Sequence, residues 1–355
     1  MKDIKEEYLK HYTGKNRRAM FEAFYKFVEA FRSDNYEVLD DICTKDCSAH
    51  ISMIGHIKGI EKIKETMKWP GPFTSVSRAQ IFNFVARSHE NKGIQMAYIQ
   101  GVRAVEEEDD VYPFQYGFHV VNRFVCEDGI WKIYDIRMDL CYETGNNLFV
   151  YGKWCLMDHF KYSGHEPMIN PDEDNPWHII PVDDEPMSDG ESVFDVMYQF
   201  TFAFDMGDFA FMKEIITDDF ILNEGPKRLE RWDKLNPGDR VDFREITDFL
   251  RYKYHKEARL MHAYRMGQIE FNGDRAMVYM PRGEEHRIKN IVVDKENIHY
   301  VFTNMLAIGG ATKMKDGKWK INKYRVEMAQ GHTTTRDDQI VYDEYIISGG
   351  KACIK

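Results

Sequence analysis

A carboxylate stands at the end of an aromatic helical stripe in the second half of the chain. Tyr198 and Asp205 are seven residues apart, so on a helix they share one face with Phe194 and Thr201. Such a carboxylate can lie in solvent at the end of the helix, because the sequence Asp-x-Gly-Asp is typical of helix termination. Alternatively, it can enter a pocket. Only the second alternative gives Asp205 a chemical role.

His262 is the second candidate for chemistry. An imidazole can exchange a proton near neutral pH, and a carboxylate can fix its tautomer. Tyr264 has the same strand parity as His262 and could hold a carbonyl or hydroxyl oxygen of a ligand. A lone strand histidine is more often a satisfied core or surface residue, so both interpretations stay open.

A six-residue phrase occurs twice, over residues 128–133 and 316–321, as Asp-Gly-Ile-Trp-Lys-Ile and Asp-Gly-Lys-Trp-Lys-Ile. Gly129 and Gly317 suit the left-handed position of a three-residue hairpin loop. Each phrase therefore predicts the last hairpin of an antiparallel sheet, and the repetition predicts a tandem duplication.

The predicted hairpin register adds candidate ligand-binding residues. It places Arg137 opposite His119, on the side of Asp135, and Arg325 opposite Ala307. An arginine on a pocket-facing strand could pair with an enolate or a carboxylate of a ligand. The alternative is an arginine–carboxylate pair on the outer sheet face or at an inter-domain contact.

Both halves show the same order of elements, helices first and strands afterwards. The predicted helices cover residues 20–31, 36–42, 59–69, 193–204, 209–216 and 243–256. The predicted strands cover residues 76–86, 93–105, 112–125, 130–140, 260–271, 275–281, 286–294, 299–308 and 318–326. This order predicts two α+β domains, each with three helices on a curved antiparallel sheet. We expect domains over 1–145 and 191–330, an ordered Pro-rich and acidic connector over 146–190, and a tail over 331–355.

The composition narrows the class of protein. At 355 residues and 14% aromatics the chain can bury two cores. A formal net charge of −11 argues against nucleic acid or an anionic membrane as the main partner. The apolar runs are too short to span a bilayer. The charged N-terminus does not resemble a signal peptide, and the six cysteines form no C-x-x-C pair, so we expect reduced thiols in the cytoplasm.

Several motifs of the second half, taken in their order along the chain, resemble those of the nuclear transport factor 2-like superfamily, particularly its SnoaL-like branch. They are the helix end at 203–209, Thr217-x-Asp219, His262, the Gly-Asp-x-Ala hairpin at 273–276 and the last tryptophan hairpin. The resemblance implies two cystatin-like cone domains. The superfamily contains dehydratases, ketosteroid isomerases, polyketide cyclases and binding proteins, so it indicates a fold more than a reaction.

The resemblance also suggests site residues. In dehydratase-like members an aspartate on the first helix and a histidine on a strand form the catalytic pair, and Asp205 and His262 stand at those places. The first half has Arg32 and Ile81 there instead. His50 and His56, expected in a turn, have no acidic ligand at metal spacing, so we expect no metal site and no cofactor.

Two functions follow as hypotheses. The first is a cofactor-independent lyase or isomerase acting on a mostly apolar hydroxy-carbonyl compound such as a steroid or polyketide. In it His262 is the general acid/base, Asp205 orients it, and Tyr198, Tyr264 or Arg325 holds the oxyanion. The second is a non-catalytic small-molecule-binding or scaffold protein. In both we expect the two domains to pack as an intramolecular pseudo-dimer, which could form further homo-oligomers.

Overall fold

The computed structural model describes residues 4–147, 150–156, 167–224, 260–285, 293–294 and 302–328. In the first half the elements are α1 (Ile4–Leu9), α2 (Lys15–Ser33), α3 (Leu39–Ile42), β1 (Cys43–Ile51), β2 (Gly55–Lys58), α4 (Ile60–Thr66), β3 (Val76–His89), β4 (Lys92–Glu107), β5 (Asp110–Glu127) and β6 (Ile130–Gly145). The second half follows with α5 (Pro171–Asp174), α6 (Pro176–Ile179), α7 (Asp189–Met206), α8 (Phe209–Ile215), β7 (Ile216–Glu224), β8 (Gln268–Asn272), β9 (Arg275–Glu285), β10 (Val293–Asp294), β11 (Phe302–Lys313) and β12 (Trp319–Met328).

These elements form two sheets with matching topology. The first sheet has the order β2-β1-β6-β5-β4-β3, and β10 pairs with β5. The second sheet has the order β7-β12-β11-β9-β8. The last long strand of each sheet pairs in parallel with the strand that follows the short helices, as β6 with β1 and β12 with β7. The α+β class predicted from the sequence is confirmed, although each sheet contains one parallel pair and is not wholly antiparallel.

Each half has one long helix that covers a sheet face. In α2 the apolar side chains recur at helical spacing and are all buried: Met20, Phe21, Phe24, Phe27, Val28 and Phe31. The Phe31 ring contacts Tyr116 and Phe118 of β5. In α7 the Phe200 ring lies 5.2 Å from that of Tyr324 on β12. We call the α2-covered side of the first sheet its helix face and the opposite side its outer face.

The two tryptophan hairpins differ in their loops. In the first, Glu127 pairs with Ile130, so Asp128 and Gly129 form a two-residue loop with φ values of 50° and 80°. The predicted three-residue loop is wrong there. In the second hairpin the amide of Met314 donates to the carbonyl of Lys318 at 2.7 Å, which encloses the three residues that were predicted.

Several expected elements differ from the structure or lie outside it. His50 and His56 are not in a turn but face each other on β1 and β2, two strands that the sequence reading missed. The strand expected over 260–271 is regular only in β8, and residues 260–267 run as an irregular segment. The expected helix 243–256 and tail 331–355 lie outside the described residues, as does most of the expected strand 286–294. None of the described helices combines the length and the apolar character needed to cross a bilayer.

The connector, where it is described, is held by buried charges. Arg17 of α2 is 1% exposed. Its Nη1 lies 3.0 Å from Asp183 Oδ2 and donates to the carbonyl of Glu185, and its Nη2 donates to the carbonyl of Pro186. Its Nε lies 3.5 Å from Glu191 in the first turn of α7. One guanidinium thus joins α2, the connector and α7.

We expect Arg17→Met to lower the free energy of unfolding by about 3–5 kcal/mol, because it leaves carboxylates buried without their cation. Urea denaturation followed by circular dichroism measures this loss. Arg18→Met is the matched control, since Arg18 is exposed on the same helix and should cost less than about 0.5 kcal/mol. Equal effects of the two substitutions would contradict the assignment.

Candidate active site

Helix α7 carries one polar and aromatic face into the interior. Its start is fixed by a capping box between Ser188 and Glu191, and its end by Gly207 in the left-handed conformation, with φ 72°. Between them the face formed by Phe194, Tyr198, Thr201 and Asp205 is buried, with exposures of 1–3%. The solvated helix end that the sequence left open for Asp205 is therefore excluded.

Asp205 and His262 form a hydrogen-bonded pair. Nδ1 of His262 hydrogen-bonds to Oδ1 of Asp205, and the backbone N–H of His262 donates to Oδ2 at 2.8 Å. Both carboxylate oxygens therefore contact one residue, which fixes the imidazole in position and orientation. Nε2 has no hydrogen-bond partner within the described ranges, and the His262 side chain keeps 13% exposure. The ring nitrogen available for proton exchange is thus Nε2.

Electrostatics keep Asp205 ionised despite its burial. Burial alone would raise the pKa of the Asp205 carboxyl. The charge and hydrogen bond of His262, together with the charge of His119, outweigh burial and hold this pKa below the ordinary value. Asp205 can therefore act as an ionised carboxylate that orients the imidazole of His262.

Two side chains from the first half reach the same carboxylate. Tyr98 of β4 donates its hydroxyl to Oδ2 of Asp205 at 2.9 Å. His119 of β5 pairs with Tyr98 across the strands, and its Nε2 lies 3.9 Å from that oxygen. The ring centroids of Tyr98 and His119 are 4.1 Å apart. Both lie on the outer face of the first sheet, because neighbouring Phe118 points to the helix face.

Asn83 holds the segment that carries His262. It lies at a bulge of β3 with a φ of 49°, a left-handed conformation that asparagine tolerates better than most residues. Its backbone N–H donates to the carbonyl of Tyr264 at 3.0 Å, and its Oδ1 accepts from the Tyr264 N–H at 2.6 Å. Its Nδ2 donates to the carbonyl of His262 at 2.8 Å and to Thr201 Oγ1 at 3.0 Å. One first-half residue thus contacts both α7 and the irregular segment.

The predicted tyrosines are both buried near α7. The Tyr264 hydroxyl hydrogen-bonds to the Tyr324 hydroxyl of β12, and the Tyr264 ring centroid lies 6.5 Å from that of His262. Tyr198 lies two helical turns before Asp205, where it lines a cavity of about 20 Å³ with Tyr12 of the first half. Tyr264 is therefore beside the pair, whereas Tyr198 lies farther along the helix.

The structure does not bring Arg325 to the pair. Arg325 pairs with Ile308, not with Ala307 as the predicted register required. A bulge at Asn322 shifts the alternation, so Tyr324 joins Ile321 on the buried side of β12 and Arg325 turns to the opposite side. The predicted placement beside the tryptophan is wrong for this reason.

Asp135 and Arg137 are also separated from the pair. Arg137 lies opposite Val121, not His119, because the shorter loop and a further bulge shift the register. Its Nε donates to Asp135 Oδ2 at 3.0 Å, and its Nη1 donates to Asp174 of α5 at 3.1 Å. These residues bind the connector to the outer face of the first sheet, which is the alternative that the sequence left open for such arginines.

Sequence reasoning missed Tyr98 and Asn83. Nothing in their spacing indicates which face of the first sheet would meet the second half.

No set of three His, Cys, Asp or Glu side chains in the described ranges is arranged to hold a metal ion. His50 Nδ1 lies 2.6 Å from His56 Nδ1, and His50 Nε2 lies 3.1 Å from Asp135.

Solved structures with a similar fold cover about a third of the chain. A type 2 hexachlorocyclohexane dehydrochlorinase (LinA) matches with 17% identity and a TM-score of 0.32, over 37% of this chain and 88% of its own. The type 3 enzyme from Novosphingobium barchaimii LL02 matches with 16% identity and a TM-score of 0.32, over 37% and 89%. A protein with a cystatin-like fold from Caulobacter vibrioides matches with 13% identity and a TM-score of 0.30, over 36% and 90%.

Each of these structures matches over most of its own length and over little more than a third of this chain. At such identities and TM-scores they carry no conclusion about a reaction or a ligand. No protein-family model matches the chain, and no curated protein matches it in sequence.

The pH dependence of stability tests the charge state of Asp205. Because its pKa is lowered on folding, the carboxylate stabilises the fold fully above the ordinary value of about 3.9, and this contribution is lost as the pH falls through the lowered value. We expect Asp205→Asn to be less stable than wild type by about 2–4 kcal/mol at neutral pH. The gap should shrink below about pH 4.

Urea denaturation across this pH range measures the gap. Asp316→Asn is the control, since Asp316 is exposed at the second hairpin and should show no comparable loss. A gap between wild type and Asp205→Asn that persists unchanged into acid would contradict the lowered pKa.

Proposed function

We propose that the second half acts as a cofactor-independent lyase or isomerase on a mostly apolar hydroxy-carbonyl compound of the steroid or polyketide class. The observation that carries this proposal is the Asp205–His262 pair, in which Nδ1 is held by a buried carboxylate and Nε2 meets no hydrogen-bond partner among the residues that the structure describes. A base oriented in this way suits the removal of a proton from carbon beside a carbonyl group.

In the proposed reaction, Nε2 of His262 takes a proton from the carbon next to the substrate carbonyl. The C–H electron pair passes into the carbonyl and gives an enolate. Asp205 accepts the Nδ1–H hydrogen bond and stabilises the imidazolium that forms. In a dehydration, the enolate expels the β-hydroxyl, which takes the proton from Nε2 and leaves as water. In an isomerisation, the proton returns to a different carbon.

Tyr264 is the first choice for holding the developing oxyanion. Its ring lies beside that of His262, with the two ring centroids 6.5 Å apart, and a tyrosine hydroxyl is a suitable donor to a developing oxyanion. Tyr198 is two helical turns from Asp205, and Arg325 lies on the other side of β12. Neither is placed as well for this role.

A non-catalytic binding or scaffold role is the second candidate function. It is favoured by the number of donors that Asp205 accepts, namely the His262 N–H, the His262 ring and the Tyr98 hydroxyl. A buried carboxylate satisfied from both halves would also serve to hold a pseudo-dimer together.

Deuterium exchange distinguishes the two candidates. We expect the wild-type protein to exchange the acidic carbon-bound protons of at least one compound in a panel of β-hydroxy ketones and steroid enones dissolved in D₂O. His262→Ala should lower that rate by about 10²–10⁴-fold, the usual contribution of a general base. Proton NMR of the panel compounds measures the exchange rate.

His89→Ala is the matched control, because His89 is an exposed histidine that also contacts an aspartate, Asp184, at 2.8 Å. It should exchange at the wild-type rate. Equal rates for His262→Ala and wild type, with both folded by circular dichroism, would favour the scaffold function.

A further inference from the structure

The two halves are related by duplication, yet the first half lacks the pair. It has Arg32 and Ile81 at the places where the second half has Asp205 and His262. Arg32 is half-buried and pairs with Glu29 on its own helix. The first half instead presents Tyr98 and His119 from the outer face of its sheet to the second half's carboxylate, as described above.

We propose that the first half completes the site of the second half, with Tyr98 as the positioning residue that holds Asp205 against His262. The site would then be composite, formed by one sheet's outer face and the other half's long helix. This inference rests on the proposed function for its catalytic consequence, although the positioning itself can be measured without turnover.

The two carboxylate oxygens of Asp205 take part in different hydrogen bonds. Oδ1 takes the imidazole Nδ1, and Oδ2 takes the Tyr98 hydroxyl at 2.9 Å and the His262 N–H at 2.8 Å. The Tyr98 hydroxyl is thus a donor on Oδ2 that does not belong to His262. Without it, the carboxylate loses a hydrogen bond that comes from outside the pair and can rotate away from the imidazole.

Tyr98 is well placed to be such an anchor. It is 0% exposed, and burial, then the charge of Asp205, raises the pKa of its hydroxyl well above the ordinary value. It therefore stays a neutral donor at working pH. Its ring is fixed by the His119 ring at 4.1 Å and by the β4–β5 register in which the two residues are partners.

We expect a specific loss in Tyr98→Phe, which removes the hydroxyl and keeps the ring. The Nδ1–H proton of His262, protected by Asp205, should give a downfield NMR resonance that His262→Ala abolishes. We expect Tyr98→Phe to broaden or lose this resonance through faster exchange with water. It should also lower kcat by about tenfold, or 1.4 kcal/mol of transition-state stabilisation, with little change in KM.

Tyr12→Phe is the matched control. Tyr12 is also a buried tyrosine between the halves, and its hydroxyl donates to the Phe84 carbonyl at 2.9 Å without contacting Asp205. Thermal unfolding should show that Tyr12→Phe loses about as much stability as Tyr98→Phe. Tyr12→Phe should nevertheless keep both the His262 Nδ1–H resonance and the wild-type kcat. A purely structural role for Tyr98 would make the two variants behave alike.

The outcomes separate this inference from the proposed function. If the resonance is lost in Tyr98→Phe while wild type turns over nothing, the positioning stands and the proposed function fails. If wild type exchanges its substrate while Tyr98→Phe keeps both the resonance and kcat, the function stands and the positioning is overturned. A wild-type spectrum without any downfield resonance that depends on His262 would also overturn it.

Discussion

The burial of one carboxylate constrains how the two halves can meet. A charge removed from water costs several kcal/mol unless it is paired and hydrogen-bonded. Asp205 meets that requirement with groups from both halves, His262 on one side and Tyr98 on the other. Separating the halves would remove part of this compensation. The ionised state of Asp205 and the association of the two halves therefore depend on each other.

The two halves use scaffolds of matching topology in different ways. Each half sets a long helix on a sheet whose last strand pairs in parallel with the strand after the short helices. In the first half α2 packs aromatic side chains on one face of the sheet, and the outer face of that sheet contacts the second half. In the second half the equivalent helix places its polar face against that surface. The first half thus supplies a contact surface, and the Asp205–His262 pair lies in the second half.

Helix positions could be predicted from the sequence, but strand faces could not. The spacing of phenylalanines in α2 and α7 records the helical period directly, and both helices lie where it indicated. Strand parity fails after every bulge, because one extra residue exchanges the two faces of everything beyond it. The bulge at Asn322 therefore misplaced Arg325, and the two-residue loop at Gly129 together with the bulge between Ile133 and Asp135 misplaced Arg137.

Prediction from the sequence was limited at the candidate site too. Asp205 and His262 could be singled out because both lie within the second half, at the places where the dehydratase-like proteins that it resembles in sequence carry their catalytic pair. Tyr98 and Asn83 could not, because their importance comes from docking between repeats. No local pattern encodes which sheet face docks, and the choice depends on the summed shape of both surfaces.

The tryptophans of the two hairpins share one more property. The Trp131 indole donates to Asn16 at 3.2 Å, and the Trp319 indole donates to Asp189 at 3.1 Å, so each reaches the first turn of its own long helix. The start of each helix is thereby tied to the far end of its repeat. Loops between these two points can gain or lose residues without moving the helix. Through this shared indole contact the two halves can differ in loop length and still keep a common geometry.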